Sequence, residues 1–190
     1  MFDLRIDTST EWLTHVLHNF DSFLLDHAAC ERKASATALS FVVRYPNRKH
    51  LVEAMIDLAQ EELAHFQQLT EVIHARGLTL GADTKDPYVN GLLKQVRGPS
   101  DERLLDRLLT FGIIEGRGCE RFMMIAKALD PGPLKELYTS LVTSEARHHA
   151  SFLHLVRQIY PQHIWRERLN GLLDIEAELV RTLPIRSALH

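Results

Sequence analysis

The stretch from Leu58 to Leu69, "LAQEELAHFQQL", sets two carboxylates and an imidazole among apolar neighbours in what reads as the middle of a long helix. Burying a carboxylate is costly unless it is paired or coordinates a metal. Met55, Leu58, Ala59, Phe66, Leu69, Val72 and Ile73 recur at three- and four-residue spacing and mark an inward stripe. Glu62 and His65 fall on that stripe, whereas Glu61 aligns with Asp57, Ala64 and Gln68 on the more polar side. The feature that needs a physical reason is therefore a Glu-x-x-His pair, Glu62 and His65.

Working outward, helical periodicity covers nearly the whole chain. "DTST" offers an N-cap cluster for a first segment at about 7–19. Long helices are expected at about 21–45, stopped by Pro46, and at about 48–76, stopped by Gly77. A crossover over 77–101 holds a possible short helix near 89–96, and a connection that long is expected to carry structure or function. Ser100 or Asp101 is expected to cap a third long helix at about 102–129. Pro133 opens a fourth reaching about 160, and a last helix covers about 164–181. No alternating strand pattern is evident. Four long helices split two and two by a crossover predict an all-α fold, a ferritin-like four-helix bundle with extra terminal helices, in a single domain over 1–190.

The fourth long helix repeats the opening motif. Leu134, Leu137, Leu141, Phe152, Leu155 and Ile159 mark its core stripe, with Glu145 and His148 upon it, so "EARH" echoes "ELAH". His149 competes as a ligand at the i+4 spacing but sits toward the edge of the stripe. The other two helices each offer one glutamate in apolar surroundings. Glu31 shares a face with His27, Ala34, Ser35 and Ala38, and Glu115 follows Phe111, Gly112, Ile113 and Ile114. Glu31 precedes Glu62 by 31 residues and Glu115 precedes Glu145 by 30, with the halves offset by 83 or 84. A single Glu-x-x-His is as readily a surface or capping pair. Two on core stripes, each with a partner glutamate one antiparallel helix earlier, point to metal.

Four buried carboxylates repel one another, and two divalent cations would balance them. One Glu from each of two helices plus Glu-x-x-His from the other two is the donor set of carboxylate-bridged dinuclear bundles. Glu62 and Glu145 would bridge, Glu31 and Glu115 would be terminal, and His65 and His148 would give one nitrogen per metal. The absence of cysteine among the six argues against structural zinc, and mixed oxygen and nitrogen donors suit iron or manganese, iron being the better fit. Such a site activates dioxygen, oxidises iron for storage or, as dimanganese, dismutates peroxide, and the ligands alone do not separate these.

Composition sets the outer bounds. With 190 residues, 45% hydrophobic, and net charge -3, the chain suits a soluble globular protein and excludes a strongly basic nucleic-acid binder. Cys30 and Cys119 form no CxxC pair, so a reducing cytoplasm is expected, and no apolar run is long enough for a membrane span. Counting the four ligand carboxylates as neutralised by metal moves the charge from -3 to about +1. Arg44, Arg48, Lys49 and His50 cluster at the first hairpin turn, and Lys85, Lys94 and Arg97 lie in the crossover; either group is a candidate RNA contact. Gly112, Gly116 and Gly118 on one helix suggest a π-bulge, close substrate approach or close helix packing.

"HAACERKA", "AQEELAHF", "IIEGRGCERF" and "SEARHH", in this order and at these separations, resemble the tRNA 2-methylthio-isopentenyladenosine hydroxylases. The resemblance covers nearly the whole chain and extends beyond the ligands to their neighbours. It implies a non-haem di-iron centre of two iron ions held by Glu31, Glu62, His65, Glu115, Glu145 and His148. It further implies dioxygen as co-substrate, an external reductase or electron-transfer protein as donor, and hydroxylation of the isopentenyl group of a modified adenosine next to the anticodon of tRNA. The product would be 2-methylthio-cis-ribozeatin. A ferroxidase or iron-storage protein is the alternative, and it would form a large hollow assembly.

Overall fold

The computed structural model describes residues 4–98 and 100–190; Pro99 and the side chain of Ser100 lie outside the described residues, and Asp101, the other cap candidate, stands inside the first turn of its helix rather than before it. Seven helices and, among the described residues, no strand are present: α1 (Thr10–His18), α2 (Phe20–Arg44), α3 (Lys49–Ala75), α4 (Pro87–Leu93), α5 (Ser100–Ala128), α6 (Pro133–Ile159) and α7 (Gln162–Thr182). The chain divides into two compact units.

One unit comprises Thr14–Thr84 with Arg186–Leu189 and is built on the α2–α3 hairpin. Pro46 disfavours helical geometry at the residue before it, and α2 stops at Arg44 with the Tyr45 amide closing on the Phe41 carbonyl. At the far end Gly77 takes φ +74, a conformation only glycine adopts without steric cost. There Gly77 N bonds the His74 carbonyl and Leu78 N the Ile73 carbonyl, a Schellman closure of α3. Leu51, Met55, Leu58, Ala59, Leu69 and Ile73 of α3 are buried, as are Phe23, Leu24, Ala28, Ala38 and Phe41 of α2. Ser35 Oγ donates to the Ala59 carbonyl at 2.8 Å across this seam. The start of the crossover is tied back to α2 by Arg32 on Asp83 and by Lys33 Nζ on the Thr84 carbonyl.

The other unit comprises Lys85–Ile185, the described residues up to Leu13, and His190. Its α5–α6 hairpin turns through Gly132, at φ +154, into Pro133 at the first helical position. The short helix α4 begins earlier than the apolar pattern near 89–96 suggests. The Asp86 carboxylate accepts from Tyr88 N and Val89 N, with Pro87 inside the cap. That Asp-Pro start signal fixes the element. Within the N-terminal cluster, Ser9 does the capping, its Oγ accepting from Trp12 N at 3.2 Å, while Thr8 turns inward to Glu120.

Helix α5 is buried on all sides over residues 112–119. One face carries Glu115. The opposite face carries Asp106, Thr110, Arg117 and Arg121, all buried. Arg117 is fully enclosed: Nε and Nη2 donate to the two oxygens of buried Glu176 on α7, Nη1 to Thr8 and Glu120, and Nη2 to the Ile6 carbonyl. The Tyr88 hydroxyl adds a 3.0 Å bond to Glu176. The network joins α4, α5, α7 and the N-terminal segment through polar groups.

Candidate metal centre

Each hairpin gathers three of the six predicted donors. On α2 the buried positions Leu24, His27, Ala28, Glu31, Ser35 and Ala38 follow helical spacing, so Glu31 faces inward by register. On α3 the same logic buries Glu62 and His65 and leaves Glu61 half-buried beside the stripe. Glu31 and Glu62 are 3% and 1% exposed, deep enough that their charge requires compensation. Glu31, Glu62 and His65 each offer a ligand atom within 4.8 Å of the others. His65 Nδ1 lies 3.3 Å from Glu62 Oε2 and 3.7 Å from Glu31 Oε2.

The electrostatics of this triad favour a cation. Burial alone lowers the His65 pKa; the hydrogen bonds and negative charges of Glu31 and Glu62 outweigh it and push the imidazole up to about 10. Without a metal, a proton on Nδ1 fills the role of positive charge between two carboxylates. A divalent cation in its place would meet two oxygens and one nitrogen.

The other hairpin repeats the arrangement. Glu115 of α5 and Glu145 and His148 of α6 are buried, and each offers an atom within 4.8 Å of the others. His148 Nδ1 stands 3.7 Å from Glu145 Oε2. The i, i+3 spacing therefore puts carboxylate and imidazole side by side in both hairpins.

His149, the competing candidate, is also buried, but its Nδ1 donates to the Gly112 carbonyl on α5 at 2.8 Å. Its pKa is lowered, chiefly by burial, so the ring is neutral. A Cβ on Gly116 would lie 3.2 Å from that nitrogen, which makes close helix packing the reason for Gly116. Helix α5 runs through its glycines as regular α-helix, without a π-bulge. The Cys119 thiol contacts the Val142 carbonyl at 3.6 Å and burial raises its pKa, the behaviour of a small core residue.

One supporting residue had no role in the sequence reading. His27 is fully buried, and its Nε2 donates to Glu31 Oε1 at 2.5 Å. It orients the carboxylate as outer partners orient metal ligands. Its signal was the i, i+4 spacing to Glu31 on one face. Of the basic crossover residues, Arg97 donates to Asp106 and Glu102 and keeps its side chain partly exposed.

Comparison with known proteins places the chain among its relatives. Residues 2–190 match the family described as tRNA-(MS[2]IO[6]A)-hydroxylase (MiaE). A Pseudomonas putida protein named tRNA 2-(methylsulfanyl)-N(6)-isopentenyladenosine(37) hydroxylase is 36% identical over 152 residues, covering 80% of this chain and 74% of its own. A Salmonella typhimurium protein of the same name is 30% identical over an alignment of 226 positions, covering 93% of this chain and 83% of its own. A solved structure, a Synechococcus protein titled as having aldehyde deformylating oxygenase activity, superposes with TM-score 0.93 at 36% identity, covering 100% of this chain and 96% of that one. The fold class is accordingly the all-α, ferritin-like four-helix class expected from the sequence. The chain belongs to the MiaE family of tRNA hydroxylases.

Proposed function

We propose that this protein is an oxygen-dependent non-haem di-iron monooxygenase acting on tRNA. It hydroxylates the isopentenyl group of 2-methylthio-isopentenyladenosine next to the anticodon and yields 2-methylthio-cis-ribozeatin. One atom of dioxygen enters a C–H bond; the other leaves as water, with two electrons from an external reductase and two protons. The observation that carries the reading is the pair of buried Glu, Glu-x-x-His triads, each gathered within 4.8 Å, in a chain of this family. With tRNA as its substrate, we propose that the enzyme works in the cytoplasm. Among the described residues no helix is long and apolar enough to cross a membrane.

The donor chemistry fits the metal. Glu31, Glu62 and His65, together with Glu115, Glu145 and His148, supply four carboxylates and two imidazoles, matching the charge of two ferrous ions, and we propose that they do so within one ferritin-like domain. Bound iron would supply dioxygen activation, which no amino-acid side chain provides. The chain's own residues do the rest. His27 holds Glu31 in place, and His149 fixes α5 against α6 beside the second triad. Buried Leu58, Ala59, Leu108 and Phe152 keep the surroundings apolar, as hydroxylation of a hydrocarbon group requires.

The decisive experiment is nucleoside analysis of tRNA from a strain lacking this protein, paired with reconstitution using iron, a reductase and the modified tRNA. Loss of the hydroxylated nucleoside in the strain and its formation in vitro are expected; unchanged hydroxylated nucleoside in the strain refutes the reading. The aldehyde deformylating oxygenase activity ascribed to the Synechococcus neighbour favours a second reading, an oxygenase acting on aldehydes. Release of the formyl carbon from an added aldehyde, with tRNA left unmodified, would select it.

A further inference from the structure

Glu115 shares its face of α5 with Leu104, Leu108, Phe111 and Phe122. Leu104, Leu108 and Phe122 are fully buried, but Phe111, one turn from Glu115, is half-buried. Its ring neighbours that of buried Phe152 of α6, with centroids 6.3 Å apart and an interplanar angle of 29°. One further turn away stands Arg107, also half-buried, its Cζ 5.9 Å from the Phe111 centroid. The sequence Arg107, Phe111, Glu115 thus steps along one helix edge from a cation, to an aromatic plane, to a ligand carboxylate.

Those steps match the parts of a prenylated nucleotide. The rise from Phe111 to Glu115 is about 6 Å, close to the reach of a five-carbon prenyl chain, and that from Arg107 to Glu115 is about 12 Å. Proteins that read single-stranded RNA stack splayed bases on aromatic rings, and the planar guanidinium is suited to phosphate oxygens. We propose that Phe111 stacks the modified adenine and Arg107 contacts a neighbouring phosphate, so that the pair positions the prenyl group toward Glu115. This rests on the tRNA hydroxylase reading. A merely structural Arg107, covering the Phe111 ring, would affect stability without distinguishing nucleic acid from nucleoside.

The test compares iron-loaded wild type with Arg107→Gln, Phe111→Leu and Phe111→Tyr, using modified tRNA and the free modified nucleoside as substrates. Arg181→Gln, exposed and paired with Glu178, is the control. Arg107→Gln is expected to raise KM for tRNA about tenfold, with nucleoside KM within about twofold of wild type. It should also make the dependence of log Kd on log salt, read by fluorescence anisotropy, shallower by about 0.7 to 0.9, the loss of one phosphate contact. Phe111→Leu should raise KM for both substrates about tenfold, and Phe111→Tyr, which keeps the ring, should restore it. An unchanged salt slope for Arg107→Gln overturns the proposal, and so does wild-type nucleoside KM for Phe111→Leu. A wild-type enzyme that hydroxylates neither substrate refutes the hydroxylase reading itself, and the salt slope still decides whether Arg107 contacts phosphate.

Discussion

His149 donates its Nδ1 proton to the Gly112 carbonyl at 2.8 Å, across the seam between the helix that carries Glu115 and the helix that carries Glu145 and His148. The bond gives the second of two adjacent histidines a packing role and leaves His148 to the triad. His149→Ala is expected to keep the full metal content and to destabilise the fold by about 1–3 kcal/mol, because it opens a buried gap and orphans part of a carbonyl's bonding. Gly116→Ala gains about 1 kcal/mol of helix propensity. Its new methyl, 3.2 Å from a ring that is held in place, should nevertheless make the variant less stable than wild type. Urea unfolding with metal analysis of each variant checks both.

Asp106 is fully buried between two arginines. Arg97 reaches it through its backbone N–H, Nε and Nη2, and Arg168 through Nε and Nη2. Burial opposes the carboxylate, but these hydrogen bonds prevail and hold its pKa below the ordinary value of 3.8. A depressed carboxyl stabilises the fold above its unfolded pKa, and that contribution is lost as pH falls through the folded value. Unfolding free energy measured from pH 6 downward should therefore fall most steeply below about pH 4 in wild type and less steeply in Asp106→Asn. At pH 7 the substitution should cost about 2–3 kcal/mol, less than for a fully enclosed pair, since both guanidiniums keep some solvent.

The triads and the long helices were legible because each rests on periodicity within one helix. Glu62 and His65 sit on a stripe that their own neighbours define, and Gly77 and Pro46 act within a turn of where they stand. The far face of α5 was not legible. Arg117 and Glu176 are 59 residues apart, and each, read alone, looks like an ordinary solvated charge on a helix. Only packing of α7 and the N-terminal segment against α5 buries them. His27 shows an intermediate case: its spacing to Glu31 was visible, but a 2.5 Å hydrogen bond is a property of rotamers.

The Arg117–Glu176 pair carries a test of how buried charge contributes. Both side chains are completely enclosed and share two hydrogen bonds, so removing Arg117 leaves Glu176 buried without its counter-ion, and removing Glu176 leaves Arg117 with Glu120 alone as counter-ion. Glu176→Leu and Arg117→Leu should each cost about 3–5 kcal/mol, whereas the double variant should cost clearly less than their sum. Tyr88 strengthens the contrast, because its hydroxyl also loses its acceptor in the Glu176 variant. A double-mutant cycle by denaturant titration measures the coupling; strict additivity would show that the pair does not act as a unit.

In the proposed metal site the proton on His65 would link pH to metal binding. In the metal-free protein Glu31 and Glu62 raise this imidazole to about 10, so at neutral pH it is charged. Its stabilising contribution is complete below the unfolded value of about 6.5 and disappears as pH rises through about 10. A metal needs the same nitrogen deprotonated, so binding at that triad must release the proton. The apparent association constant should rise about tenfold per pH unit between pH 6 and 9, with close to one proton released per metal there, measurable by calorimetry in buffers of different ionisation enthalpy. Glu62→Ala removes a buried donor and should abolish metal binding at its triad, whereas Glu61→Ala, beside the stripe, should retain it. If Glu61→Ala lost the metal instead, the register assigned to α3 would be wrong by one residue, and the pairing of Glu62 with His65 would go with it.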